Sequence, residues 1–166
     1  QSRISNCDVV NTSDAAHMIV WKRASMLASF LPEEVAQHFP KEHWDADGMF
    51  ASLRLYVSSL GYNTNLVKAD DAPKSFADLL DPKWRGKMVW SNSQETGAPF
   101  FVTQMRQILG EEKALAYLRA LGEQRIATEN GSLRSVLDQV IAGEYAIGVA
   151  MALHHIGISQ AKGAPI

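Results

Sequence analysis

Two hydrophobic periods take turns along this chain. Leu133, Val136, Leu137, Val140 and Ile141 fall at i, i+3, i+4, i+7 and i+8, the spacing of one helix face. Gly143 follows as a C-terminal stop. Phe101, Val102, Met105, Ile108 and Leu109 form a similar stripe that Gly110 ends. A third helix is predicted over EEKALAYLRALGEQ. Glu111 and Glu112 sit at its positive end, and Leu115, Leu118 and Leu121 form its apolar face. The short runs KMVWS, RIAT and YAIGVAM between these stripes predict strands.

Upstream, the apolar run in CDVV predicts a buried strand with Cys7 inside it. A helix to about Met26 follows, and Ser13 or Asp14 can serve as its N-cap. FLPEEVAQHFPKEHWDADGMF is broken by two prolines and Asp47-Gly48 and predicts irregular structure. SFADLL predicts a short helix that Pro82 ends. Leu53, Leu55 and Val57 alternate with Arg54 and Tyr56, which is strand periodicity. Extended over residues 51–62, that strand is long for an ordinary one, so it is expected to cross between domains. Strands and helices alternate throughout, and the predicted class is α/β.

Composition narrows the functions. At 46% hydrophobic and 20% charged, the 166 residues are those of a folded globular protein. A formal net charge of -2 without a Lys/Arg run gives no electrostatic footprint for nucleic acid. No apolar stretch approaches the length of a membrane-spanning helix. A single cysteine, Cys7, excludes an internal disulfide. The chain opens almost directly on a strand and stops at GAPI, which is expected of a piece of a longer protein.

Candidate chemistry lies in two polar loops. SNSQETGA, residues 91–98, follows a predicted strand and precedes a helix, and so does ENGS, residues 129–132. Open α/β sheets bind ligands outside the carboxyl ends of their strands. A helix start there offers unpaired N–H groups and partial positive charge to an anion. Gly97 and Gly131 allow close backbone approach. Helix capping is the competing reading for each loop, since Ser, Thr and Asn are ordinary caps.

DVVNTSDAAH, SLGYNTNLV, APKSFADLLDPKWRGKMVW, GEEKALAYLRAL and VLDQVIAGEYAIGV occur in that order. They resemble the extracellular solute-binding proteins of ABC importers, and within these the ferric-iron-binding group. The resemblance implies the type II periplasmic-binding-protein fold, a two-lobed Venus flytrap with its ligand in the interlobe cleft. Residues 1–50 would be part of the first lobe, 51–62 the hinge strand and 63–166 a nearly complete second lobe. It also implies a periplasmic location and delivery of the solute to an ABC permease. The same fold serves as the ligand-sensing domain of membrane receptors or regulators, which is the alternative function. An incomplete first lobe is expected to dimerise or swap through residues 1–50.

The resemblance implies a cargo rather than a cofactor: a metal ion or a small anionic compound. The second-lobe contacts expected are Ser91, Ser93, Thr96, Gly97, Ala98, Asn130, Gly131, Ser132 and His154, with Ser13 and Asp14 from the first lobe. In iron-binding members adjacent tyrosines ligate the metal just after the strand matching YAIGVAM. Here that place reads Ala150-Met151-Ala152-Leu153-His154-His155-Ile156, without a tyrosine. Phenolate suits ferric iron, whereas imidazole suits zinc or copper. His154 is the candidate ligand if a metal is the cargo, and extended neighbours would keep His155 off the same ion. His17 is a lesser candidate. Glu95 reads as favourable charge at a helix start and Trp90 as a possible pocket wall. Catalysis would need Cys7 with a histidine or Ser93 with His154. The chain has no nucleophile elbow, HExxH or phosphate loop with its lysine, so no enzyme activity is expected.

Overall fold

The computed structural model describes residues 7–12, 15–92 and 97–166. Four of the expected contacts, Ser13, Asp14, Ser93 and Thr96, and also Glu95, lie outside the described residues. The chain divides into two compact units, Gln1–Leu55 and Tyr56–Ile166.

The first unit contains α1 (Ala15–Arg23) and α2 (Glu33–His38). Lys22 on α1 pairs with Asp45 and Asp47, each at 2.6 Å. The hydrogen bond from Lys22 holds Asp45 below the usual carboxylate range, helped by the backbone N–H groups of Met49 and Asp47. One ionic anchor thus ties the helix to the turn that ends at Gly48, whose φ is 66°. The strand predicted at CDVV is not formed: residues 7–12 have no regular structure, Cys7 is exposed and Val9 is 87% exposed. An apolar run becomes a strand only against a partner's ladder. Among the described residues of this unit the one β pairing is the bridge between Trp44 and Ala51.

The second unit holds a four-stranded sheet. Its strands are β1 (Ser58–Tyr62), β2 (Met88–Ser91), β3 (Ala127–Glu129) and β4 (Ile147–Ala152), in the order β1-β4-β2-β3. β2 runs parallel to both neighbours, and β1 is antiparallel to β4. The extended reading of residues 51–62 is shortened to β1. Leu53, Leu55 and Val57, whose alternation suggested it, are more than half exposed. Pairing starts at Ser58 because β4 ends opposite it, at Ala152.

The helices α3 (Ala98–Leu109), α4 (Glu111–Gly122), α5 (Leu133–Ala142) and α6 (Leu153–Ala161) sandwich the sheet. Phe101 and Met105 of α3 and Ala114 and Leu121 of α4 join Met88, Ile147 and Val149 on one face. Val136, Leu137 and Val140 of α5 join Val89, Met151 and Ile156 on the other. The period of α5 was read correctly. On α4 the buried edge is Ala114, Tyr117, Leu118 and Leu121, and Leu115 points outward at 47% exposure. Ala114 and Leu121 are one heptad apart, which brings them to the same side.

Two polar anchors close this unit. Asn63 is 2% exposed and donates to the carbonyls of Val140 and Ile141 at the end of α5, at 2.7 and 3.1 Å. Gly143 in the left-handed region completes that end, with Glu144 N–H donating to the Gln139 carbonyl. On the opposite face, Tyr117 Oη donates to the Phe76 carbonyl at 2.7 Å. Burial pushes this phenol up to about 12. Its folded value lies above the unfolded value of about 10. The stability it contributes is therefore complete below that value and lost as pH rises through the folded one. Tyr117→Phe should lower stability at neutral pH by about 1 kcal/mol and flatten the alkaline limb. Denaturant titrations across the alkaline range check this, and an alkaline limb unchanged in the variant contradicts it.

Candidate ligand-binding site

Parallel pairing decides where the functional loops meet. β2, β3 and β4 point the same way, so Ser91, Glu129 and Ala152 end at one edge of the sheet. Neighbouring strands lie about 5 Å apart. Each end feeds a helix: α3 after Gly97, α5 after Ser132 and α6 after Ala152. The helices α3 and α5 depart to opposite faces, while their starts stay at the same edge. β1 is antiparallel, so its beginning, and Tyr56 just before it, lies at this edge too.

The two polar loops are joined directly. Ser91 is fully buried, and its hydroxyl donates to the Gly131 carbonyl at 2.6 Å. Asn92 N–H donates to the Glu129 carbonyl at 2.7 Å. Trp90 Nε1 donates to Thr128 Oγ1 at 2.8 Å, and the Trp90 ring meets Phe101 edge-on. Ser91 therefore acts as a staple between loops; its hydroxyl has no exposed surface to offer a ligand. The alternation of β2 explains this, since Ser91 shares the face of Val89, under α5.

The remaining expected residues divide by exposure. Gly97 and Ala98 are buried at the start of α3. Asn130, Gly131 and Ser132 are exposed. Ser132 caps α5, its Oγ accepting from Ser135 N–H at 3.2 Å, so the capping reading holds for this side chain. Ser135 Oγ returns the bond to the Ser132 carbonyl. Gly131 needs to be small: a Cβ there would overlap Ser135 Oγ. Three residues at this edge escaped the sequence reading. Asn92 lies inside the first loop but was not among its expected contacts, Thr128 is a short polar residue just before the second loop, and Tyr56 belongs to the alternation that suggested the crossover.

His154 is exposed in the first turn of α6, and His155 is partly buried. The pair is helical rather than extended, which corrects the expectation that the two rings diverge. Their centroids are 4.2 Å apart, and the Tyr56 ring meets His154 edge-on at 5.5 Å. Among the described residues no group of three His, Cys, Asp or Glu side chains is arranged to hold a metal ion. His17 lies in the first unit, bonded to Thr12 at 3.1 Å and stacked on Trp21.

A separate hollow of about 420 Å³ is lined by Asp70, Asp71, Lys74, Asp78, Asp81 and Trp84 among others. It shares no residue with the expected site. Asp78 is held below the usual range by the N–H groups of Lys74 and Ser75, which it accepts at 2.8 Å each. With four carboxylates around it, this hollow is unsuited to an anion.

Comparison with known proteins agrees with the geometry. The chain is 28% identical over 147 residues to the Fe(3+)-binding periplasmic protein of Serratia marcescens, covering 87% of this chain and 42% of that one. Iron-bound HitA from Pseudomonas aeruginosa superposes with a TM-score of 0.72 at 22% identity, over 92% of this chain and 48% of that one. AfuA from Actinobacillus pleuropneumoniae, solved with fructose 6-phosphate, gives 0.69 at 22% identity, over the same shares of 92% and 48%. The chain thus spans less than half the length of these relatives. The shared fold is the type II fold of periplasmic binding proteins. A profile described as bacterial extracellular solute-binding protein matches residues 10–156, and the chain belongs to that family.

Proposed function

We propose that the protein is the periplasmic solute-binding component of an ABC importer. The carboxyl edge of its second unit takes the anionic group of a small solute, for delivery to a permease. One observation carries this reading. The starts of α3, α5 and α6 are gathered at a single edge, with the first two loops stapled by Ser91. Helix starts present free N–H groups and partial positive charge, so their gathering favours an anion. Asn130, Ser132 and His154 add exposed polar side chains beside them.

The relatives' descriptions name both kinds of ligand: the Serratia protein is Fe(3+)-binding, and AfuA was solved with exogenous fructose 6-phosphate bound. The edge of this chain supports the second kind. After β4 it carries imidazoles where hard phenolate donors would suit ferric iron, with the Tyr56 phenol beside His154, and among the described residues no three His, Cys, Asp or Glu side chains are grouped to hold a metal ion. A metal would reach His154 only with ligands supplied from elsewhere. The reading keeps the division into a partial lobe at 1–50, a crossover at 51–62 and a lobe at 63–166. Gly97, Ala98, Gly131 and the residues after Leu153 in the first turn of α6 contribute backbone N–H groups; the Leu153 N–H itself is taken by the Val57 carbonyl. Ser13, Asp14, Ser93 and Thr96 stay as proposed contacts.

Calorimetric titration of the intact protein with fructose 6-phosphate, inorganic phosphate, Fe³⁺ and Zn²⁺ tests the cargo. The phosphate-bearing probes should bind. Asn130→Ala and His154→Ala should each weaken them about 10- to 100-fold, the worth of a hydrogen bond to a charged group. Metal binding with no anion binding, or anion affinity indifferent to both substitutions, contradicts the reading. Ser91→Ala tests the staple. It leaves the Gly131 carbonyl without its buried donor and should cost about 1–3 kcal/mol of stability. Amide hydrogen exchange at Gly131 and Ser132 should speed up; unchanged exchange there means Ser91 does not hold the loop.

A further inference from the structure

A backbone irregularity lies three residues before the start of α6. Ala150, 1% exposed and in the middle of β4, has φ of 58°. Side chains disfavour this left-handed region, and a non-glycine residue in a central strand rarely adopts it. The ladder shows the consequence. Gly61 pairs with Gly148 and Ser59 with Met151, so Val149 and Ala150 together face Leu60 alone. This is a β-bulge, with one residue of β4 in excess.

The bulge reverses the side-chain alternation. Ile147 and Val149 face α3 and α4, and regular alternation would send Met151 the same way. Ala150 takes that side instead, and Met151 packs with α5 and α6 on the opposite face. There it occupies a notch made by two glycines. A Cβ on Gly148 would overlap Met151 Sδ, and one on Gly61 would lie 2.9 Å from it and 3.1 Å from Ile156 Cδ1. The notch thus locks Met151, and Met151 holds the bulge. Directly after it, Ala152 caps α6, Leu153 N–H donates to the Val57 carbonyl at 3.0 Å, and His154 meets Tyr56.

We propose that Ala150 is the positioning residue of the ligand edge: its bulge, locked by Met151 over Gly148 and Gly61, sets the direction in which α6 starts and so places His154 and His155 beside Tyr56. The inference concerns where the imidazoles stand; their use by a ligand rests on the function proposed above. Position 150 accepts only alanine or glycine on this account. The side chain is enclosed by the face that holds Val149, and a β-branched residue is strained at this φ.

The imidazole Hε1 resonances of His154 and His155 in the intact protein read the placement without any ligand. Ala150→Gly keeps the left-handed conformation and should leave both resonances in place. Ala150→Val should move both and weaken fructose 6-phosphate binding about tenfold or more. Leu137→Ala, a cavity in the same cluster but not among the side chains at the glycine notch, is the control. It should lower Tm while leaving the resonances where they are. Met151→Ala empties the notch without touching the strained residue, so it serves if Ala150→Val does not fold, and it too should move both resonances. The inference is overturned if the histidine resonances in Ala150→Val, or in Met151→Ala, match those of Leu137→Ala. If they move as expected but His154→Ala leaves fructose 6-phosphate binding unchanged, the positioning role stands and the ligand reading fails.

Discussion

The ligand edge proposed for this protein depends on one hydrogen bond, from a buried serine, inside one strand arrangement. Ser91, at the end of the central parallel strand, donates its hydroxyl to the Gly131 carbonyl. The donor side is fully buried, so leaving that hydroxyl unpaired would cost more than the bond itself contributes. It fixes the loop before α5 against the end of β2, and parallel pairing brings the end of β4 alongside. Three helix starts are then neighbours by backbone geometry alone. Positive potential at the edge comes from backbone geometry, not from lysine or arginine, in keeping with a chain whose net charge is only -2.

The chemistry follows from what stands at that edge and from what does not. Peptide N–H groups, an amide at Asn130, a hydroxyl at Ser132 and an imidazole at His154 are hydrogen-bond donors or neutral acceptors, and the Glu129 carboxylate at the end of β3 is an acidic group beside them. A phosphate or carboxylate matches them. A bare cation would meet the positive ends of the helices. The acidic hollow at Asp70–Trp84 has the opposite character, and the two regions are kept apart by the body of the second unit's fold. The Ala150 bulge belongs to the same economy of geometry. It is strain held at a strand end next to the site and compensated by the packing of Met151.

Much of the second unit could be read from residue order alone. The stripe from Leu133 to Ile141, the stops at Gly110 and Gly143 and the strands at 88–91 and 147–152 were visible because burial there follows simple periodicity. The loops at 91–98 and 129–132 were visible because short polar residues clustered between a strand and a helix. What stayed hidden depends on partners distant in sequence. Ser91 looked like a ligand contact because its parity on β2, and so its burial, needs the sheet to be known. Leu53, Leu55 and Val57 alternate like a strand, yet the ladder begins at Ser58, where β4 ends. Ala150 carries no sequence mark at all, because its conformation depends on the register of β4 against β1. Cys7 and Val9 have strand-like neighbours in sequence but pair with no strand among the described residues.

Amide chemical-shift mapping tests the central claim most directly. On addition of fructose 6-phosphate to the intact protein, the N–H resonances at the starts of α3, α5 and α6 should move together and saturate at one concentration. They are those of Gly97–Phe101, Gly131–Arg134 and Leu153–His155. Shifts confined to one helix start, or centred on the Asp70–Trp84 hollow, would contradict it.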